Sequence, residues 1–539
     1  MMYLREFSIG NFKAFGPTQT LPIKPITLIY GPNSGGKSSL LHGLILAHHA
    51  QISGDFDVRY AKLGGNSVDL GGYQQYVHKR RSDTPVEMSF RFDSTGLKTR
   101  WGDAVNAGRS FNIAMSIGVR HTERKLGEDL ISVDVPQLRR YEVSVDGENI
   151  MAFSGRRDYS HLGLDVLNYR HPALAEVVAK AAKEADPNGT LQISDVYGIL
   201  DGLVSDIKIT QGVPFPDGTE LGQTEEELSH VQWTQAVERL SAVEEQAFME
   251  MMEKSRHEPD PFAAYEALYG WCVGVWRRAR AELFLLSYLG PLRDYPERDL
   301  PGRFDDPDWF AGGGFAWDAV KQDSQVRAAV NHWLEDPQRM MTPYRIEVQR
   351  SYSAGDLMDA ASRSAARASD PVKHMERVLE RAAATDSLRL IDLRTGTSVS
   401  HRDIGVGISQ VLPVLVATLG LRGRTLLFEQ PEVHIHPALQ AELGDVFIQS
   451  AAERSNTFIV ETHSEHLLLR VLRRIRETTQ GRLPEGVTPI TTKDVQVVFV
   501  EPTKSGSRVL LMEIDEEGQL VTPWPGGFFE EGFRERFGA

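Results

Sequence analysis

The residues best suited to chemistry stand near the start of the chain, in Gly31-Pro32-Asn33-Ser34-Gly35-Gly36-Lys37-Ser38-Ser39. Their spacing is G-x-x-x-x-G-K-S, and an apolar, β-branched run, Ile26-Thr-Leu-Ile-Tyr30, leads into it. Glycines at this spacing let backbone N–H groups turn inward on phosphate oxygens. Lys37 adds charge at the β- and γ-phosphates, and the Ser38 hydroxyl is offered to Mg2+. A plain glycine turn into a helix is the bland alternative, and the full spacing after a strand argues against it. Residues 31 to 39 are therefore expected to bind a nucleotide, ATP with Mg2+.

Such a loop needs carboxylate oxygens at the end of a nearby strand, because Mg2+ is a hard cation. Leu426-Leu-Phe-Glu429-Gln430-Pro431-Glu432 supplies one such strand end. Further on, Phe458-Ile-Val-Glu461-Thr-His463-Ser464 is a second apolar strand ending in polar groups, in the manner of a γ-phosphate sensor. Upstream, Asp403-Ile-Gly405-Val-Gly407-Ile-Ser409-Gln410 sets a glycine-rich loop before an apolar helix from Val411, a second anion site at a helix N-terminus.

The elements that must position these groups are those of an α/β protein. The predicted order at the start is strand, strand, glycine loop and helix to about His49. Alternating runs such as Met88-Ser-Phe-Arg-Phe92 and Tyr141-Glu-Val-Ser-Val145 predict antiparallel strands. From residue 151 the pattern turns helical and polar, with amphipathic spacing over Glu225–Glu253 and Phe262–Ser287. A proline- and glycine-rich loop, Asp294 to Gly314, and a simple small-residue tract, Ser353 to Ser369, follow. Buried-strand runs then return, so residues 1–150 and 386–539 are expected to form the two halves of one α/β unit around a mainly helical insertion, 151–385.

Composition narrows the class. At 539 residues, 41% hydrophobic and 25% charged, the chain reads as a soluble globular protein of two or three units. A net charge of −15 confines any nucleic-acid contact to local basic runs. Cys272 is the lone cysteine, which excludes an internal disulfide framework and a thiolate-rich zinc site, and points to the reducing cytoplasm. Arg5, Glu6 and Lys13 interrupt any signal-peptide core, and the longest apolar stretch, Val411 to Leu421, is too short to span a bilayer. No membrane association is expected.

The order of these motifs resembles the ATP-binding-cassette ATPases of the SMC type. More closely, it resembles the bacterial AAA group that includes the overcoming-lysogenization-defect (OLD) proteins and the ATPases of antiphage systems such as Septu. The segments Pro431-Glu432-Val-His434-Ile-His436-Pro437 and Trp524-Pro-Gly-Gly-Phe528-Phe529-Glu530 carry the likeness, which covers residues 1 to 95 and 385 to 535. Between them only Tyr288-Leu-Gly-Pro-Leu-Arg293 shares in it.

The resemblance implies an ABC-type P-loop NTPase head split by a largely helical insertion. It implies that Lys37 and Ser38 bind phosphate and Mg2+, that Glu429 is the metal-side acid and that His463 is the switch histidine. Gly407 and Ser409 would cap the γ-phosphate held by a partner subunit, giving a head-to-tail homodimer or a higher oligomer. The Mg2+-contacting glutamine would be Gln74 or Gln75 in Gly71-Gly-Tyr-Gln-Gln-Tyr76. The implied work is nucleotide-gated antiphage defence or DNA surveillance with a separate effector such as an HNH nuclease. DNA repair is the alternative, and a transporter subunit fits poorly.

One departure bears on catalysis. The general-base glutamate of the ABC pattern directly follows the metal acid, and Gln430 stands there. An amide cannot take a proton from water. Either Glu432 substitutes, the favoured reading, or the chain is a slow ATP-locked scaffold, or the glutamine is an alteration that traps ATP.

Weaker signals remain. His434-x-His436 with His463-x-x-His466 reads as loop histidines rather than a metal site, since no cysteine accompanies them. Arg470, Arg473, Arg474, Arg476 and Arg482 form a basic run, commonly a solvated face and alternatively a DNA contact together with His78-Lys-Arg-Arg81. Glu501 followed only by Glu513-Ile-Asp515 speaks against an appended Toprim nuclease. Arg293 is expected either to reach a phosphate or to brace insertion against head.

Overall fold

The computed structural model describes residues 2–95, 107–126, 129–155, 161–185, 208–210, 279–293, 308–363, 371–382, 384–399 and 406–529. The expected helices at Glu225–Glu253 and through most of Phe262–Ser287 lie outside these residues, as does Gly405.

Two sheets organise the molecule. The first is antiparallel and runs, in spatial order, β2 (Gln19–Pro22), β1 (Met2–Gly10), β4 (Val86–Thr95), β5 (Ala107–Leu126), β6 (Asp129–Val145), β7 (Glu148–Gly155), β8 (His161–Leu167) and β9 (Lys208–Thr210). Its apolar residues alternate, with Met88, Phe90 and Phe92 of β4 buried, as a half-covered sheet requires. The second is β10 (Leu286–Leu289), β14 (Thr425–Glu429), β15 (Thr457–Glu461), β3 (Ile26–Tyr30), β16 (Val495–Glu501) and β17 (Arg508–Met512). All its pairings are parallel except that of β17. Its central strands are continuous apolar runs because both faces are covered.

Helix α1 (Lys37–Ser53) lies between the sheets, which is why apolar residues surround it rather than stripe it. The fit is close: a side chain at Gly43 would meet Ile9 and Phe7 of β1 within 3 Å. The same core gathers Ile29, Leu427 and Ile459 from beneath. The opposite face of the parallel sheet is covered by α5 (Phe315–Gln322), α6 (Ser324–Glu335), α9 (Val406–Gly420), α10 (Pro437–Arg454) and α11 (Glu465–Thr479), and a second core fills that layer. The remaining helices are α2 (Tyr73–Tyr76), α3 (Pro172–Ala185), α4 (Asp308–Ala311), α7 (Ala354–Arg363) and α8 (Pro371–Arg381), beside a three-stranded sheet of β11 (Tyr344–Tyr352), β12 (Ala384–Asp392) and β13 (Thr397–Val399).

Three expectations change. Residue 150 falls inside β7, so the antiparallel sheet continues past the expected boundary. Asp146 and Gly147, both with positive φ, close a two-residue hairpin that carries it on. The segment 151–385 is mixed rather than helical where described, and β10 within it is an edge strand of the parallel sheet. The small-residue tract forms α7 over 354–363, started by Ser353, whose Oγ accepts from the Asp356 N–H (3.0 Å).

Burial on α1 predicts an acid limb of stability. His48 is pushed down to about 4 by desolvation, with His49 adding to it. Because the folded state refuses a proton that the unfolded chain accepts, stability held above pH 6.5 drains as pH falls toward 4. A His48→Gln variant is expected to recover about 2 kcal/mol of denaturant stability at pH 5 relative to its loss in the wild type.

Candidate nucleotide site

Parallel strands place their C-terminal ends along one edge, and β3, β15 and β14 lie side by side there. The phosphate loop leaves β3 at Gly31, whose φ of 149° and whose approach to Val500 O forbid a side chain. Ser34 and Gly36 also take positive φ, and Ser507 Oγ braces the loop by donating to Gly35 O (2.7 Å). Lys37 turns back on its own loop, donating to Gly31 O (3.1 Å) and Pro32 O (3.0 Å), a place-holder for phosphate oxygens. Burial lowers its pKa, while Glu461, Glu432 and Glu429 oppose that shift.

Opposite this lysine, parallel pairing sets Glu429 directly beside Glu461. Ser38 Oγ donates to Glu461 Oε2 (2.6 Å), and Lys37 Nζ lies 3.9 Å from Glu461 Oε1. Burial and the Glu429 charge push the Glu461 carboxyl up to about 7, against the pull of Ser38 and Lys37. His42 Nε2 stands 3.2 Å from Glu429 Oε1 without hydrogen-bonding geometry, so both buried atoms lack a partner. Glu429 Oε1 and the Ser38 hydroxyl are thus suited to a hard divalent cation.

Glu432 is 6% exposed and curls under the turn after β15: its Oε1 accepts the His463 N–H (2.7 Å), while Oε2 has no partner. Burial raises its pKa, the direction a base working near neutrality needs. His463 is kept toward its neutral form by burial and by Lys37, and its Nε2 is buried and unpartnered. Gln430 is half-buried in a left-handed turn (φ 44°), and its N–H is held by Glu461 O (2.8 Å).

Arg293 braces rather than reaches for phosphate. Its guanidinium, 6% exposed, donates to Gln410 O (3.1 Å) on α9 and to Gln430 O (3.0 Å), with Glu429 O and Pro431 O at 3.4 and 3.5 Å. Gln410 returns the bond to Arg293 O (3.1 Å). One side chain therefore ties the acidic turn to the helix that follows the glycine-rich loop.

Other expected site residues fare differently. Gly407 is half-buried beside His434 O, but Ser409, the fourth residue of α9, is fully buried, so its side chain does not reach the surface of the protomer. Gln74 and Gln75 are exposed on α2, and among the described residues no hydrogen bond joins either to Glu429 or Ser38. His434 and His436 are exposed, and His436 caps α10 by accepting the Ala438 N–H. Among the described residues no group of three His, Cys, Asp or Glu is arranged as a metal site.

One residue and one segment escaped sequence reasoning. Glu461 was legible only as a strand-end polar residue. The Trp524–Phe529 segment was legible only as a familiar ending. In the fold Trp524 and Phe529 pack edge-on to Tyr30 (5.4 and 5.7 Å between rings), Phe528 lies 6.2 Å from the His463 ring, and the Tyr30 hydroxyl donates to Ser464 O (3.0 Å).

The arginine run is largely spent internally. Arg470 and Arg474 pair with Asp445, Glu442 and Glu477 of α10 and α11, Arg473 pairs with Glu477, and Arg476 donates to Glu517 O (2.7 Å). Low exposure of Arg470 and Arg474 makes this a helix–helix brace, which leaves the exposed Lys79, Arg80 and Arg81 as the freer basic run. Truncating Arg474 to alanine leaves Asp445 with Arg470 alone and is expected to cost about 2 kcal/mol in chemical denaturation, for the lost charge-assisted hydrogen bonds. Salt dependence of DNA binding, if any, would be little changed by it.

These features place a glycine-rich G-x-x-x-x-G-K-S loop opposite strand-end acids at one edge of a parallel sheet. Residues 319–470 match the family described as AAA domain, putative AbiEii toxin, Type IV TA system, and residues 490–535 match a family described only as a protein of unknown function (DUF3696). Among curated proteins the chain is 42% identical over 48 residues to the chromosome partition protein Smc of a Synechococcus species, which is 9% of this chain and 4% of that protein. Solved structures similar to it include the Smc head domain of Pyrococcus furiosus bound to the C-terminal domain of ScpA (12% identity, 95% and 97% of the two chains, TM-score 0.33). Another is the SMC head domain of Thermotoga maritima (8%, 95% and 100%, TM-score 0.33). Among the described residues no helix is long and apolar enough to cross a membrane.

Proposed function

We propose that the chain is a Mg2+-dependent ATPase that sandwiches ATP in a head-to-tail homodimer. The observation that carries this reading is the convergence of Lys37, Ser38, Glu429, Glu432 and His463 at one strand edge, each buried or half-buried and several with an atom awaiting a partner. Lys37 exchanges two backbone carbonyls for phosphate oxygens. Mg2+, held by Ser38 and Glu429, supplies charge neutralisation at the β- and γ-phosphates. Glu432 accepts the proton of the attacking water through its free Oε2, and His463 Nε2 contacts the γ-phosphate. Gly407, the half-buried residue at the start of α9, serves the partner's nucleotide in place of Ser409. Residues 1–150 and 386–539 are read as the head and 151–385 as the insertion it drives.

The role we assign is antiphage defence or DNA surveillance, with any cleavage left to a separate HNH-type nuclease; the name of the matched family, a putative toxin of a toxin–antitoxin system, is in keeping with a defence role. Steady-state phosphate release with ATP and Mg2+, together with light scattering with and without ATP, tests the enzymatic reading. A chain that neither releases phosphate nor changes mass refutes it. Gln430 favours a second reading, an ATP-locked scaffold, for which the mass changes and phosphate release stays at background. A neighbouring gene for a nuclease supports defence, and one for a recombination factor turns the reading to repair.

A further inference from the structure

Neighbouring parallel strands stand about 4.8 Å apart, so acids ending both β14 and β15 bring two carboxylates to one edge. Glu429 and Glu461 do so in direct register, 6% and 4% exposed. Among the described residues Lys37 is the cation in ion-pair range of the pair, 3.9 Å from Glu461, and it is also held by the carbonyls of Gly31 and Pro32, while Lys13 acts on Glu429 from farther away. Among the described residues three buried atoms around the pair lack a hydrogen bond: Glu429 Oε1 itself, His42 Nε2 at 3.2 Å from it, and the hydroxyl of the fully buried Tyr288 on β10, which acts on Glu429. Ser38 Oγ already sits on Glu461, with its lone pairs still available. Two carboxylates and a hydroxyl, with water filling the remaining positions, suit a hard divalent cation of the Mg2+ or Mn2+ kind.

We infer that Glu461 is a second carboxylate ligand of this cation, alongside Glu429 and Ser38, and that the chain takes the cation up before nucleotide arrives. The inference rests on the phosphate-loop reading of the site but not on hydrolysis. A single strand-end acid leaves most of the cation's charge to be met by the nucleotide, whereas two acids neutralise it within the protein. Occupancy then no longer depends on ATP, and the Ser38 hydroxyl is set in place in advance.

The test is titration of the full-length, nucleotide-free chain with Mn2+, following loss of the free-ion electron paramagnetic resonance signal. One Mn2+ is expected to bind per chain, competed by Mg2+, and Glu461→Gln is expected to weaken it about tenfold or more because ligand charge sets affinity. The amide of that variant still accepts the Ser38 hydrogen bond, so the loss reports the missing charge and not a disordered serine. Glu461→Asp, which keeps the charge, is expected to bind between the two, and thermal melts of both variants verify folding. Absence of Mn2+ uptake without ATP, or equal affinity in Glu461→Gln, overturns the inference. A chain that binds Mn2+ through Glu461 yet releases no phosphate upholds it while the ATPase reading falls.

Discussion

Glu432→Gln is expected to lower the turnover number for ATP by about 10²- to 10⁴-fold, the usual contribution of a positioned general base. The physical ground is that Glu432, in the turn after β14, is buried, raised in pKa and left with a free oxygen. Its other oxygen is fixed on the His463 N–H, which aims the free one. Glutamine keeps the volume and one acceptor, so KM for ATP is expected to hold, and the mutant is expected to accumulate the ATP-bound dimer. Gln430→Glu is the companion measurement: with Glu432 as the base a second carboxylate at 430 adds little, and turnover is expected to rise less than about tenfold, well short of a base's contribution. A fast Glu432→Gln enzyme, or a Gln430→Glu enzyme accelerated beyond that, assigns the base elsewhere.

Arg293→Met is expected to destabilise the folded protein by about 3 kcal/mol or more, since it leaves several buried carbonyls without a donor. Those carbonyls belong to Gln410 on α9 and to Glu429, Gln430 and Pro431 around the acidic turn, so the loss falls on the joint between the two. Glu432 also loses a neighbouring positive charge. Urea denaturation measures the stability loss, and kcat is expected to fall beyond what the lowered folded fraction accounts for. Lysine is expected to rescue poorly, because one ammonium cannot span carbonyls on two elements as a guanidinium fork does. A variant as stable as wild type would mean that water replaces the fork.

The phosphate loop was legible because its requirements are local: glycines for positive φ, a lysine and a serine at fixed spacing after an apolar strand. The strands β14 and β15 were equally legible as buried parallel runs. The Asp146-Gly147 hairpin was present in the sequence too, and its consequence, an antiparallel sheet continuing past residue 150, follows from its turn chemistry. Ser409 misled because spacing cannot say which side of a helix start faces the core. Arg470 and Arg474 of α11 misled because Asp445, the acid they share, lies on α10, 25 and 29 residues away along the chain and adjacent only in space.

By itself, then, the sequence determined the glycine-rich G-x-x-x-x-G-K-S turn after an apolar strand at Gly31–Ser39 and the strand-end acids far along the chain, since those signals are written in neighbouring residues. Tertiary structure decided which groups meet. Strand order puts β15 between β3 and β14, and that order alone makes Glu461 the neighbour of Ser38, Lys37 and Glu429. It also turns Arg293 into a clamp and brings the ending Trp524–Phe529 against Tyr30 and His463. Pairings of this kind depend on register and packing across hundreds of residues, and no local spacing rule encodes them.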